Sequence, residues 1–269
     1  MPVNPADSPV FGTLYGSDAM RAVFDDRAFF QQMLDVEAAL ARVQARLGII
    51  PADAALAIGQ AAGVQNLDTT ELAASVRNVG YPVVGLVKGL SRAADAIAPG
   101  AGRWTHWGAT TQDIMDTAIV LQSRDGLELL RRDLLAVVIA LADRAAAHRR
   151  TLMAGRTHLQ HALPITFGLK CAVWLAPLIA HIERLDQLRP RLARVQFGGA
   201  AGTLASLGER GIAVMEALAA ELGLAAPLAP WHVARDGFAE AVSFLGLVCG
   251  SLAKIAFDII LLAQTEVAE

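Results

Sequence analysis

The sequence predicts an all-α protein, a small N-terminal helical domain (1–102) followed by a long-helix bundle (103–269). Three observations carry this. The chain is 54% hydrophobic but only 6% aromatic, and alanine and leucine dominate it, which favours packed helices over sheet. From 112 to 150 no proline occurs and the only glycine is Gly126, while apolar residues recur mostly at spacings of three, four or seven. No stretch shows sustained strand alternation, and no repeat of fixed period is present.

The elements follow in order. Residues 26–47 form an amphipathic helix, with Phe29, Phe30, Met33, Leu34, Ala38, Leu40 and Val43 near the helical period. Gly48 stops it and Pro51 restarts the chain. Short helices are expected at 52–62 and 69–76. Gly80-Tyr81-Pro82 breaks the chain, and 83–97 resumes a helix ending at Pro99-Gly100. Residues 99–111 are a polar, aromatic linker, and the domain boundary falls within it. A helix over 112–150 would be about 55 Å long, which suggests a bundle or an oligomer spine. Residues 155–163 read as a loop. Pro164 suits the first turn of a helix running to about 188, with a kink at Pro177. FGGAAG (197–202) is a turn, 209–222 a helix, and a last long helix starts near Asp236.

Composition limits the function. A formal charge of −3 and a pI near 6.1 give no reason to expect nucleic acid as partner. The N-terminus has no basic region followed by an apolar one, so the expected location is the cytoplasm. Residues 241–263 are long enough to be tested as a membrane span. Lys254 and Asp258 interrupt them at i,i+4, where they can pair, so a soluble helix buried on most sides is expected. Cys171 and Cys249 lie in apolar helical stretches and read as buried, reduced thiols. No Cys/His spacing fits zinc.

Three polar loops each precede a long helix: RWTHWGATTQD (103–113), GRTHLQHALP (155–164) and WHVARD (231–236). Unpaired N–H groups and the positive dipole end at helix starts favour anions. Thr110 or Thr111 can cap its helix, with Asp113 closing a capping box from Thr110. Hydroxyls, helix N–H groups, Arg103, Arg156 and Arg235 together suit a di- or tricarboxylate. His106, His158, His161 and His232 add groups that exchange protons near neutral pH. Blander readings stand beside these. The threonines serve equally as plain caps, His148 and His181 read as packed or solvated, and Arg235 with Asp236 reads as a local ion pair. FGGAAG lacks the ending and the preceding strand of a phosphate loop. The residues alone support a helical protein with anion-binding loops.

In order and context the loops resemble the signatures of the fumarase/aspartase superfamily. HWGATTQD with DTA resembles the first, GRTHLQHALPITFG the second, and KIAFDIILLAQTEVAE the approach to the third. The likeness extends over nearly the whole chain. Within the superfamily, LDVEAALARVQARLGIIP, TFGLKCAVWLAPL, QFGGAAGTLASLG and WHVARD are most similar to the bacterial 3-carboxy-cis,cis-muconate cycloisomerase branch. Adenylosuccinate lyase is the nearest rival, but the histidine of its first-domain T-x-H-D element has no counterpart in RNVGYP (77–82).

The resemblance implies a homotetramer with each site built from three subunits, acting on a small polycarboxylate without metal or redox cofactor, away from nucleic acid and membrane. The reaction is addition of a carboxylate oxygen to a C=C bond with proton delivery to the adjacent carbon; its reverse is a β-elimination. Thr110, Thr111, Arg156, Thr157, Gln160, His232 and Arg235 would bind substrate. His158 would be the general acid/base, with His106 and His232 orienting or relaying. Two departures stand out. The first signature usually reads Thr-Ser where this chain has Thr110-Thr111. The third signature, a mobile GSSxMPxKxNP-type loop with the catalytic serine, is expected soon after QTEVAE, and the chain reaches Glu269 before it. The expectation is therefore a truncated, by itself inactive lyase-type subunit. An expectation of another class is a non-catalytic oligomeric helical scaffold.

Overall fold

A computed structural model describes residues 4–269. Helix dominates them, as expected, and the chain divides into two compact units. One holds the segment through Gly126 together with Ala193–Arg235; the other holds Leu127–Leu192 and Asp236–Glu269. These contact-defined units differ from the segments 1–102 and 103–269.

The first unit is built on α2 (Asp26–Arg46), after a short α1 (Asp18–Phe24) that periodicity did not reveal. Asp25 caps α2 by accepting from the Ala28 N–H at 2.6 Å. Its apolar stripe buries Met33, Leu34, Leu40 and Val43. Against it pack α3 (Ala52–Ala61), α5 (Val83–Ile97) and α8 (Gly211–Leu222). Asp68 caps α4 (Thr69–Val79), and Gly80 closes it at φ +91°, a left-handed end that glycine adopts without steric cost. The expected helix at 209–222 begins two residues later, because Ala205–Arg210 forms a 3₁₀ turn broken at Gly208.

The long central helix is α6 (Thr111–Ala147). In the second unit its residues Leu127 and Leu134 share a core with Trp174, Leu178 and Leu185 of α7 (Phe167–Leu192) and with Phe244 and Val248 of α9 (Asp236–Leu262). Helix α7 runs through both Pro177 and Pro190 as one element.

Three expectations need correction here. The stretch 155–163 is not an irregular loop, and Pro164 does not start a helix. Instead β1 (Leu152–Thr157) and β2 (Gln160–Thr166) form an antiparallel hairpin in which Pro164 faces Ala154. A two-stranded ribbon has only edge strands, where a missing N–H is tolerated. The start of α7 passes to Thr166, whose hydroxyl accepts from the Leu169 N–H at 3.1 Å. Next, α9 is not buried on most sides. Only one face packs in this chain, while Val242, Leu247, Phe257 and Ile260 are more than half exposed, although Lys254 and Asp258 do pair. Finally, Cys171 is buried but Cys249 is exposed.

Helix α7 approaches α6 through Gly168. A Cβ there would meet the Ala145 carbonyl oxygen at 2.6 Å and Arg149 backbone atoms at 2.8 Å. Backbone cannot yield as a side-chain tip can, so Gly168→Ala should lower stability by about 1–3 kcal/mol, read as an earlier midpoint in urea unfolding. An unchanged midpoint would mean the two helices do not approach closely there.

Candidate active site

The first unit gathers two of the three polar loops around one carboxylate. Asp113, at the third residue of α6, is fully buried. Its Oδ2 accepts from the Thr110 N–H at 3.0 Å, the acidic half of the expected capping box, and from the Gly199 N–H at 2.8 Å. Its Oδ1 accepts from the Gly198 N–H at 3.0 Å, the Gln196 side-chain amide at 3.1 Å and His232 Nε2 at 2.9 Å. Five donors converge on one buried charge, the condition under which such burial is tolerated. The FGGAAG turn is thus a cradle for this side chain. Gly199 sits at φ +69°, and a Cβ on Gly198 would meet Pro230 at 2.8 Å and His232 Cε1 at 2.9 Å.

Three side chains, those of Gln196, Asp116 and Gln112, lace the same segments. Gln196 accepts from the Trp231 N–H at 2.7 Å, and its backbone exchanges hydrogen bonds with the Thr117 hydroxyl at 3.0 Å. Asp116, also buried, receives Arg235 through both guanidinium nitrogens, at 2.7 and 3.0 Å. Arg235 therefore pairs across the chain, with a partner the sequence did not suggest. The Arg235 guanidinium also lies 5.7 Å from the Trp231 ring centroid. Gln112 bridges Asp116 and the His232 carbonyl.

Thr110 and Thr111 are half-buried at the start of α6. Neither hydroxyl has a hydrogen-bond partner among the described residues. With the unpaired N–H groups of the first turn they form a donor-rich helix start suited to a carboxylate. His106 lies in the segment just before, in a left-handed conformation at φ +61°. Its Nδ1 is 2.6 Å from Glu37 Oε1, and its backbone N–H donates to Glu37 Oε2 at 3.1 Å. Burial depresses the pKa of this imidazole, but the carboxylates of Glu37 and Asp113 outweigh that and hold it above the ordinary histidine value.

The remaining candidates belong to the second unit. Thr157 and Gln160 face each other at the hairpin end, and His158-Leu159 form the two-residue turn at φ +50° and +62°. Such turns normally take Asn or Gly, so two ordinary side chains there store backbone strain. His158 is exposed at the tip and makes no side-chain hydrogen bond among the described residues. Arg156 donates to Glu269 Oε2 at 2.7 Å.

Sequence reasoning missed Glu37, Asp116 and Gln196, and gave Asp113 only a capping role. One signal for Glu37 was present: it lies four residues after Met33 and three before Leu40, on the apolar face of its helix, where a carboxylate needs a partner. Gln196 opens the QFGGAAGTLASLG stretch that carries the resemblance, but nothing in its residue type or spacing gives it a role.

Residues 14–269 match a family model described as Lyase. The chain is 50% identical over 260 residues to a 3-carboxy-cis,cis-muconate cycloisomerase of Pseudomonas aeruginosa, covering 97% of this chain and 57% of that protein. It is 46% identical over 256 residues to a trans-aconitate decarboxylase of Mycosarcoma maydis, covering 95% of this chain and 51% of the relative. The crystal structure of 3-carboxy-cis,cis-muconate lactonizing enzyme from Pseudomonas putida superposes with a TM-score of 0.95 at 46% identity, covering 97% of this chain and 60% of the other. The chain thus spans less than two thirds of the length of these relatives.

Two outcomes follow from the site. Asp113→Asn would turn an amide N–H₂ toward donors that need an acceptor, and should cost about 3–5 kcal/mol of stability, measured by urea unfolding. A cost below about 1 kcal/mol would mean the five-donor cradle is not formed. His106, with its folded pKa raised, contributes stability that is fully present below its unfolded value of about 6.5 and is lost as pH rises through the folded midpoint. Unfolding free energy should therefore fall across that window. His106→Asn, whose side chain tolerates the left-handed backbone, should remove that part of the slope; a slope unaffected by the substitution would contradict the assignment.

Proposed function

The chain belongs to the lyase family of the fumarase/aspartase superfamily, and on that premise we propose that it is the loop-bearing helical part of a 3-carboxy-cis,cis-muconate cycloisomerase of aromatic catabolism. The observation that carries this reading is the organised start of α6. Asp113 holds Thr110, Gly198, Gly199, Gln196 and His232 in one array beside two uncommitted threonine hydroxyls, in a chain half identical to a protein of that name.

In the proposed reaction a substrate carboxylate oxygen adds to the C=C bond. The π electrons move to the carbon next to a second carboxylate, which carries the charge as an aci-form until that carbon is protonated. Stabilising this charge is the main task. Thr110, Thr111, the first N–H groups of α6 and Arg235 would do so from one side; Arg156, Thr157 and Gln160 would do so from the hairpin. Arg156 would exchange Glu269 for a substrate carboxylate. His158 exchanges the proton, and His106 and His232 orient or relay. Neither metal nor redox cofactor is required by this chemistry.

The loops occupy separate units of the chain, which suits sites completed by other subunits of a homotetramer. The exposed apolar residues Leu169, Val173, Val242, Leu247, Phe257 and Ile260 form the kind of surface that buries itself in assembly rather than in a membrane. A small polycarboxylate as substrate, no nucleic acid, and a cytoplasmic location complete the proposal.

The test is lactonisation of 3-carboxy-cis,cis-muconate, followed as loss of diene absorbance, by a version extended to the full length of its relatives. His158→Asn preserves the turn, because asparagine tolerates positive φ, and should lower kcat by about 10² to 10⁴. A variant as fast as the parent would remove His158 from its role. Decarboxylation of trans-aconitate in place of lactonisation would favour the other named relative's chemistry. No turnover of either by a correctly assembled protein would leave the scaffold reading.

A further inference from the structure

One buried carboxylate grips a single residue at two points. Glu37 is 1% exposed, and its two oxygens bind two groups of His106, ring Nδ1 at 2.6 Å and backbone N–H at 3.1 Å. A carboxylate held between two N–H groups is an acceptor only, so Nδ1 must carry a proton. In the neutral ring this leaves Nε2 bare, and Nε2 has no hydrogen-bond partner among the described residues. The backbone N–H that Glu37 holds belongs to a residue at a left-handed φ of +61°, a conformation histidine visits more readily than most non-glycine residues. Gln44, two turns along the same face of α2, fixes the next residue by donating to the Trp107 carbonyl at 2.7 Å. One helix face thus sets both the path of the backbone and the orientation of the ring.

We propose that Glu37 is a positioning residue for His106, holding its proton on Nδ1 so that Nε2 is the atom that exchanges a proton at the site. The arrangement is that of a carboxylate fixing the tautomer and basicity of an imidazole whose other nitrogen acts. Two carboxylates face the ring, Glu37 from α2 and Asp113 at the start of α6, and both favour its charged form. Only Glu37 touches it. The inference rests on the reading of His106 as a working group of the proposed site.

The test uses the chain labelled with ¹⁵N-histidine and titrated by NMR, with His106 assigned by its loss in His106→Asn. In the unsubstituted protein the neutral ring should show the Nδ1–H tautomer; a neutral Nε2–H tautomer would overturn the proposal without any change to Glu37. In Glu37→Gln, which keeps the shape and removes the charge, the His106 midpoint should move to lower pH and the tautomer preference should weaken. An unmoved midpoint in a folded Glu37→Gln protein would also overturn it. Glu37→Asp, which keeps the charge, should restore part of the shift. In the full-length enzyme the limb of the kcat/KM profile that follows His106 should move with it, with roughly a tenfold loss near neutral pH. A moved titration with an unmoved rate profile would remove His106 from the chemistry, and so count against the proposed function, while the Glu37–His106 coupling stood.

Discussion

The Asp113 carboxylate is the constraint on which the first unit depends. It is fully buried and accepts five hydrogen bonds from three separate stretches of chain: its own helix start, the Gln196–Gly199 segment and His232. A buried charge is costly unless every lone pair is engaged. Engagement here requires each stretch to be in place at once. The glycines at 198 and 199, the amide orientation of Gln196 and the ring orientation of His232 are consequences of that requirement. The half-buried threonines beside it inherit their position from the same arrangement.

The helices were legible in the sequence because their signal is local. Residues 26–46 and 111–147 repeat apolar positions at the helical period, and nothing in them argues for strand. The hairpin was not legible. Its strands are short and mostly exposed, so no alternation of burial marks them, and its turn uses His158-Leu159 in place of Asn-Gly. Pro164 pointed to a helix start that the chain reaches only at Phe167. The exposure of α9 was missed for a different reason: composition reports that a helix must be covered, and not by what.

The candidate site drew on residue types that stand out in the sequence, while few of the pairings around them do. The three polar loops announced themselves by clustering His, Arg and Thr before long helices. Their partners did not, because each lies far away in sequence: Glu37 is 69 residues from His106, and Asp116 is 119 from Arg235. A glutamate on an apolar helix face was the one available hint, and it says that a partner exists without saying which.

The span between Asp113 and its partners bears on how the protein is made. The carboxylate leaves the ribosome some 83 to 119 residues ahead of Gln196 and His232, with residues 127–192 of the other unit emerging between them. Domains fold as units when their chain is continuous, but this unit is interrupted. Until the WHVARD segment appears, the start of α6 keeps its charge in water and the cradle has no second wall. Ordering must wait for closure of a long loop, whose entropy cost precedes any reward from the contacts. The segment that completes the Asp113 cradle is therefore also the one that completes folding of the unit, so an unfinished chain cannot hold the start of α6 in its final arrangement.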